Sequence, residues 1–171
     1  MKKYLLILSL FSVISCTNRH DFKPLIEINA TLTRAYDTID FLNDTLKTRM
    51  FDIELSVINK SNKPTSLWLM TCSREDNFII NNDYIYFRNP GCDSNVPLIY
   101  HLKSNDRLIW NTTIIKYYHT RYQFVNITRF GLIFIDSSQC KTINDYNNII
   151  GDKSKQNRII WSNPLYLNDL K

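Results

Sequence analysis

The chain has 171 residues and a formal net charge of +5. Ala occurs only at Ala30 and Ala35 and Glu only at Glu27, Glu54 and Glu75, so the leading helix formers are scarce, and three glycines leave almost no material for a phosphate-cradling loop. The Lys and Arg residues are scattered, which reads as a solvated surface, and nucleic acid is not an expected partner if the chain is exported as its N-terminus suggests.

Lys2 and Lys3 open the chain, an apolar run extends from Tyr4 to Val13, and Ile14-Ser15 leads into Cys16. This is the layout of a secretory signal peptide, and its apolar stretch is half of the roughly 20 residues that span a bilayer. Val13-Ile14-Ser15-Cys16 resembles the lipobox of bacterial lipoproteins. The resemblance implies cleavage before Cys16, lipidation of that cysteine with palmitate-type chains, and a membrane partner held through the anchor. Two acyl chains hold stably where one does not. The expected organisation is a signal peptide over 1–15, a lipidated tether over 16–24 and one domain over 25–171. Thr17, where Asp would signal inner-membrane retention, points to the outer membrane and a periplasm-facing location, with surface display left open.

Leu25 to Leu32 reads as a first strand, and the Asp-rich stretch Thr33 to Thr48 as a loop or weak strand pair. Phe51, Ile53, Leu55 and Val57 alternate with Asp52, Glu54 and Ser56, the clearest period-two signal in the chain. The turn cluster Asn59 to Pro64 and the strand Ser66 to Met70 predict a hairpin there. Short strands follow at Phe78 to Ile80 and Tyr84 to Phe87. Pro97 to Leu102 and Leu108 to Tyr117, flanking a turn, predict a second hairpin. Phe130 to Ile135 reads as a central strand, Ser137 to Asn157 as a long polar loop, and Arg158 to Leu167 as a last strand that lies at an edge or bends at Pro164, which cannot donate to a ladder. The predicted fold class is all-β, an antiparallel two-sheet β-sandwich.

Beyond Cys16 there are three cysteines, Cys72, Cys92 and Cys140, which allow three single bridges. An exported chain meets an oxidising compartment. Cys72–Cys92 is favoured, since both lie in loops at strand ends; closing about 21 residues stabilises by about 3 kcal/mol in the chain-entropy model. Cys140 is then a buried thiol or a link to another molecule.

Catalytic patterns are sparse. Asp37, Asp40, Asp44, Asp76, Asp83 and Asp93 sit in turn clusters that account for them. No metal-ligand spacing is present, His20 and His101 read as a spacer and a structural residue, and neither cofactor nor enzymatic activity is expected. A Ser-His-Asp triad assembled in space is not expected. Tyr117, Tyr118, His119, Arg121 and Tyr122 mix aromatics with cations, a composition suited to a protein or glycan partner, against inward packing of the tyrosines. Trp68, Trp110 and Trp161 would form a sugar platform only if two were exposed and coplanar; packing between sheets is the commoner outcome.

Arg129 to Ile135, Ile159 to Leu165 and Ile58 to Pro64 together resemble segments of small Bacteroidota lipoproteins over roughly residues 50 to 167. The resemblance implies an immunoglobulin-like sandwich and adds no chemistry. Asp37-Thr38-Ile39 and Asp44-Thr45-Leu46 resemble the Asp-Thr-aliphatic O-glycosylation sequon of that group, with Thr38 and Thr45 as acceptors. The expected role is a lipid-anchored, non-enzymatic binding or structural module of the envelope. Alternatives are an inhibitor or immunity-type lipoprotein that blocks an enzyme or toxin, and a glycan-binding accessory protein.

Overall fold

The computed structural model describes residues 25–40, 43–88, 91–116, 126–152 and 158–167, without the side chains of Asp40 and of residues 43–47. Its strands are β1 (Ile26–Asp40), β2 (Asn43–Asn59), β3 (Thr65–Met70), β4 (Phe78–Ile80), β5 (Ile85–Phe87), β6 (Pro97–Leu102), β7 (Arg107–Lys116), β8 (Ile127–Thr128), β9 (Phe130–Ile133), β10 (Ile159–Trp161) and β11 (Leu165–Tyr166). One helix, α1 (Ile143–Gly151), and a 3-10 turn over Arg74–Asn77 complete the described elements. All strand pairings are antiparallel. The fold is all-β, as the composition predicts.

One sheet has the order β1-β2-β7-β5. Opposite it, β9 pairs with β10 on one side and β4 on the other. Past β9 the ladder continues: Trp68 N–H donates to the Ile135 carbonyl at 3.0 Å, Ser137 N–H to the Ser66 carbonyl at 3.1 Å, and Leu67 bridges Asp136. This brings β3 and its partner β6 alongside. Ser162 N–H to the Phe130 carbonyl (2.9 Å) and Leu167 N–H to the Asn126 carbonyl (2.7 Å) carry the other flank on into the β8–β11 pair. Ile28, Phe51, Ile53, Leu55 and Ile114 from the first sheet meet Leu67, Leu69, Phe130 and Leu132 from the second in one core. The arrangement is sandwich-like.

Neither predicted hairpin forms. β2 pairs with β1 and β7 while β3 pairs with β6, and β6 likewise does not pair with β7. Each turn cluster carries the chain from one sheet to the other. Turn residues mark where a strand ends, and the sequence around them is the same whether the next strand joins the same sheet or the facing one. Residues 33–40 and 43–48 form the outer half of a long β1–β2 ribbon, in register from Arg34↔Asp52 to Ile39↔Lys47. Pro164 does lie in an edge segment: among the described residues, β10 and β11 each pair on one side.

The long polar loop is also corrected, because it contains α1. Three Asn, one Asp and a closing Gly are poor helix formers. The helix is held instead by a capping box between Thr142 and Asp145, and by burial of Tyr146 with Ile149 and Ile150 packing beside it, the i, i+3, i+4 spacing of one helical face. That face covers Trp68, Ile133 and Ile135 on the outside of the second sheet, with Cys140 buried beside them. β9 is therefore buried on both faces. The outer face is tight at Gly131: a Cβ there would stand 2.6 Å from Ile159 Cγ2 and 3.0 Å from both Ile79 Cγ1 and Trp161 Cε3.

Two asparagines act as latches. Asn163 reaches from the edge of the second sheet to β1, accepting from Ala30 N–H (2.8 Å) and donating to its carbonyl (3.0 Å). Asn59, fully buried, donates to the carbonyls of Lys63 (2.8 Å), Leu102 (3.1 Å) and Lys103 (3.0 Å) and accepts from the Ser61 N–H (3.0 Å) and hydroxyl (2.7 Å). It ties the 59–64 and 103–107 turns into one body.

Candidate functional site

The strands give the molecule two ends. At the entry end, Leu25 leads into β1 beside the 59–64 and 103–107 turns; its carbonyl accepts from Lys60 N–H at 2.6 Å. At the far end, β7 closes at Lys116 opposite Arg49 and Ile85, and the β1–β2 ribbon projects beyond it.

The far end carries a disulfide where the sequence places it. Cys72 and Cys92 are bonded, with Cα atoms 6.1 Å apart. Asn95 supports the same junction, accepting from Cys72 N–H (3.3 Å) and Ser73 N–H (3.1 Å) and donating to Asp76 (2.9 Å). Burial pushes the Asp76 carboxyl up; the Asn95 hydrogen bond opposes this and Glu75 adds to it. Beside the disulfide lies a polar cleft of about 420 Å³, lined by Glu75, Arg88, Asn111, Thr112 and Thr113 among others. The buried Thr112 hydroxyl has no hydrogen-bond partner. Next to it, the Arg74 guanidinium sits 5.6 Å from the Tyr100 ring and 5.8 Å from that of Trp110. A second cleft, about 610 Å³, opens between β4 and β5, lined mainly by Ile79, Ile80, Ile85, Tyr86 and Phe87.

Tyr117, Tyr118, His119, Arg121 and Tyr122 lie outside the described residues, as does Cys16. The segment's neighbours, Lys116 and Asn126, are both at the far end. Thr38 falls within the ribbon, half-buried and opposite Thr48, rather than in a loop; the side chain of Thr45 is outside the description. Trp68 and Trp110 are 6% and 8% exposed, and only Trp161, at 40%, reaches solvent. The tryptophans therefore offer no paired platform for a sugar. Trp68 is held by its Nε1–H donating to the Cys140 carbonyl at 2.8 Å.

Strand register brings together one pair that spacing could not reveal. Ser66 Oγ and His101 Nδ1 lie 2.7 Å apart as direct cross-strand partners. The pair sits on an exposed sheet, and among the described residues no carboxylate hydrogen-bonds the imidazole to complete a triad. Its geometry is that of a cross-strand hydrogen bond. Among the described residues no group of three or more His, Cys, Asp or Glu could hold a metal ion, and no helix is long and apolar enough to cross a membrane. No protein-family model, curated protein or solved structure matches the chain.

Proposed function

We propose that this is an exported protein anchored by lipid on Cys16, whose domain binds another envelope component through the end that points away from the membrane. The observation that carries the reading is the polarity of the domain. The chain enters at one end, next to the proposed anchor, while both clefts and the flanks of the aromatic segment 117–125 cluster toward the other. The Cys72–Cys92 disulfide supports export, because such bonds persist in oxidising compartments. The finer fold reading is immunoglobulin-like. β1-β2-β7 facing β10-β9-β3 follows the two-sheet skeleton of that class, while β5 and β6 depart from it: the strand beside β7 precedes in sequence the strand beside β3. The location proposed with this reading is the outer membrane, from Thr17 after the anchor cysteine. The role is binding without catalysis.

The anchor is tested by metabolic labelling with radioactive palmitate. Wild type is expected to be labelled and membrane-bound, and Cys16→Ser neither; equal labelling of both overturns the anchor. The binding end is tested with a photo-crosslinking residue placed in intact cells at Tyr86, at the far end, or at Asn62, at the entry end. Adducts to one defined envelope component from Tyr86 alone are expected. A one-to-one complex with a soluble enzyme or toxin would favour an inhibitory role instead, and protein adducts from Asn62 alone would overturn the assignment.

A further inference from the structure

We infer that the entry end is itself a lipid-docking surface, a rigid basic platform that seats on anionic headgroups and holds the domain upright; this rests on the lipid-anchor reading. The 59–64 and 103–107 turns carry four cations, Lys60, Lys63, Lys103 and Arg107, against one carboxylate, Asp106. Asp106 is turned back on its own turn, accepting from Lys103 N–H at 2.8 Å. Arg107 is engaged by Glu54 at 2.9 Å, and Lys60 meets Glu27 loosely at 3.8 Å. Among the described residues, no carboxylate pairs with Lys63 or Lys103, and both are exposed.

The platform is preorganised. Besides the Asn59 latch, Ser104 donates to the Ser61 carbonyl (2.7 Å), Asn105 N–H to the Asn59 carbonyl (2.7 Å) and Asn59 N–H to the Asp106 carbonyl (3.0 Å). Asn105 takes a φ of 64°, the left-handed turn conformation that Asn tolerates. The lysines on the two turns are thus presented together, with little main-chain freedom left to lose on docking.

Chain length brings this surface to the membrane. Nine peptide units separate Cys16 from Leu25, so a tether at full stretch spans roughly 30 Å. Lys60 N–H bonds Leu25 directly, so the platform begins where the tether ends. Each cation near an anionic surface contributes about 1 kcal/mol, falling off over a Debye length of about 8 Å at physiological ionic strength. Three lysines alone bind weakly, but an anchor that fixes the distance turns that weak term into an orientation.

The test uses the full-length protein purified from membranes and bound to preformed phosphatidylcholine vesicles, with or without about 30 mol% phosphatidylglycerol. A charged amine-acylating reagent and mass spectrometry read each lysine. Lys60, Lys63 and Lys103 are expected to be acylated about five-fold more slowly on the anionic vesicles, with the protection lost in about 0.5 M NaCl, while Lys116 at the far end is unchanged. Lys63→Glu/Lys103→Glu, at exposed positions, is expected to abolish the protection of Lys60 without reducing flotation. Equal acylation on both vesicles overturns docking and leaves the anchor standing. Failure to float on phosphatidylcholine alone overturns the anchor; docking then stands only if the three lysines remain protected on anionic vesicles.

Discussion

β9 has two faces, and they are covered in different ways. Its inner face meets a second sheet: Phe130 and Leu132 are fully buried among long-range strand contacts. Its outer face meets a single nine-residue helix that packs Tyr146, Ile149 and Ile150 onto Trp68, Ile133 and Ile135. The inner layer is the fold. The outer layer is an appendage, built from few residues and held at one end by a capping box. The contrast predicts that one strand belongs to two units of different stability, with the sheets opening only with the whole domain and the helix lifting by itself.

The largest expected effect falls on the inner face. Phe130→Ala empties a fully buried site between the sheets and should cost about 4 kcal/mol in urea denaturation. Tryptophan fluorescence and far-UV circular dichroism should lose their signals at one coincident midpoint. Separate midpoints would mean that the two sheets do not unfold as a unit. One residue on, Gly131→Ala points the other way, into Ile159, Ile79 and Trp161, and should cost about 2 kcal/mol by overpacking. A neutral outcome would show that the side chains of β4 and β10 beside Gly131 yield easily.

The same division sets how much could be read beforehand. Phe51 to Val57 alternates because one face meets the core, and Phe130 to Ile135 is continuous because both faces are covered, so these strands are legible as inner and central. What covers the second face is not, since α1 is written in Asn and Asp. The signals that could have revealed it are Thr142-x-x-Asp145 and the spacing of Tyr146, Ile149 and Ile150. Strand partners were illegible for a different reason: turn clusters state where the chain leaves a strand and not which sheet it enters. The segments 58–64 and 159–165 hold architectural residues. Asn59 ties two turns and Asn163 ties two sheets, so they speak to fold and not to chemistry. Of the candidate site, the disulfide was legible from loop position, whereas Ser66 meeting His101 depends on a β3–β6 register that no local pattern encodes.

A smaller effect isolates the helix. Thr142→Ala removes the cap and should cost about 1 kcal/mol, confined to the outer layer. Cys140, a buried thiol beneath the helix, reports it: its reaction with a disulfide reagent should quicken about five-fold while the urea midpoint of the sheets barely moves. The Asp145 carboxyl is held below its ordinary range by hydrogen bonds with the Thr142 side chain and then with the main-chain N–H groups of Thr142 and Lys141. A carboxyl lowered by folding stabilises above its ordinary value, and that support is lost as pH falls. Acid should therefore raise hydrogen exchange of the α1 amides, corrected for its intrinsic pH dependence, more in wild type than in the Thr142→Ala protein.

The subtlest difference lies at alkaline pH. The Tyr146 hydroxyl is enclosed without a hydrogen-bond partner. Asn77 is close enough to pull its ionisation back a little, but the Asn77 amide is committed elsewhere, its oxygen to Met70 N–H (2.8 Å) and its nitrogen to the Trp68 carbonyl (3.4 Å). Burial dominates and pushes the phenol up to about 12 from 10.0. For a group raised by folding, the stabilising contribution is complete below the unfolded value and disappears as pH climbs through the folded one. The outer layer should therefore loosen as pH rises from 10 to 12. Absorbance titration of wild type against Tyr146→Phe isolates that one phenol. Its appearance near 12, together with a Trp68 near-ultraviolet signal that persists to higher pH in Tyr146→Phe, would place the alkaline weak point under the helix. Titration of the missing phenol near 10 would mean that the helix already lifts freely at neutral pH, and that the outer face of β9 is covered only part of the time.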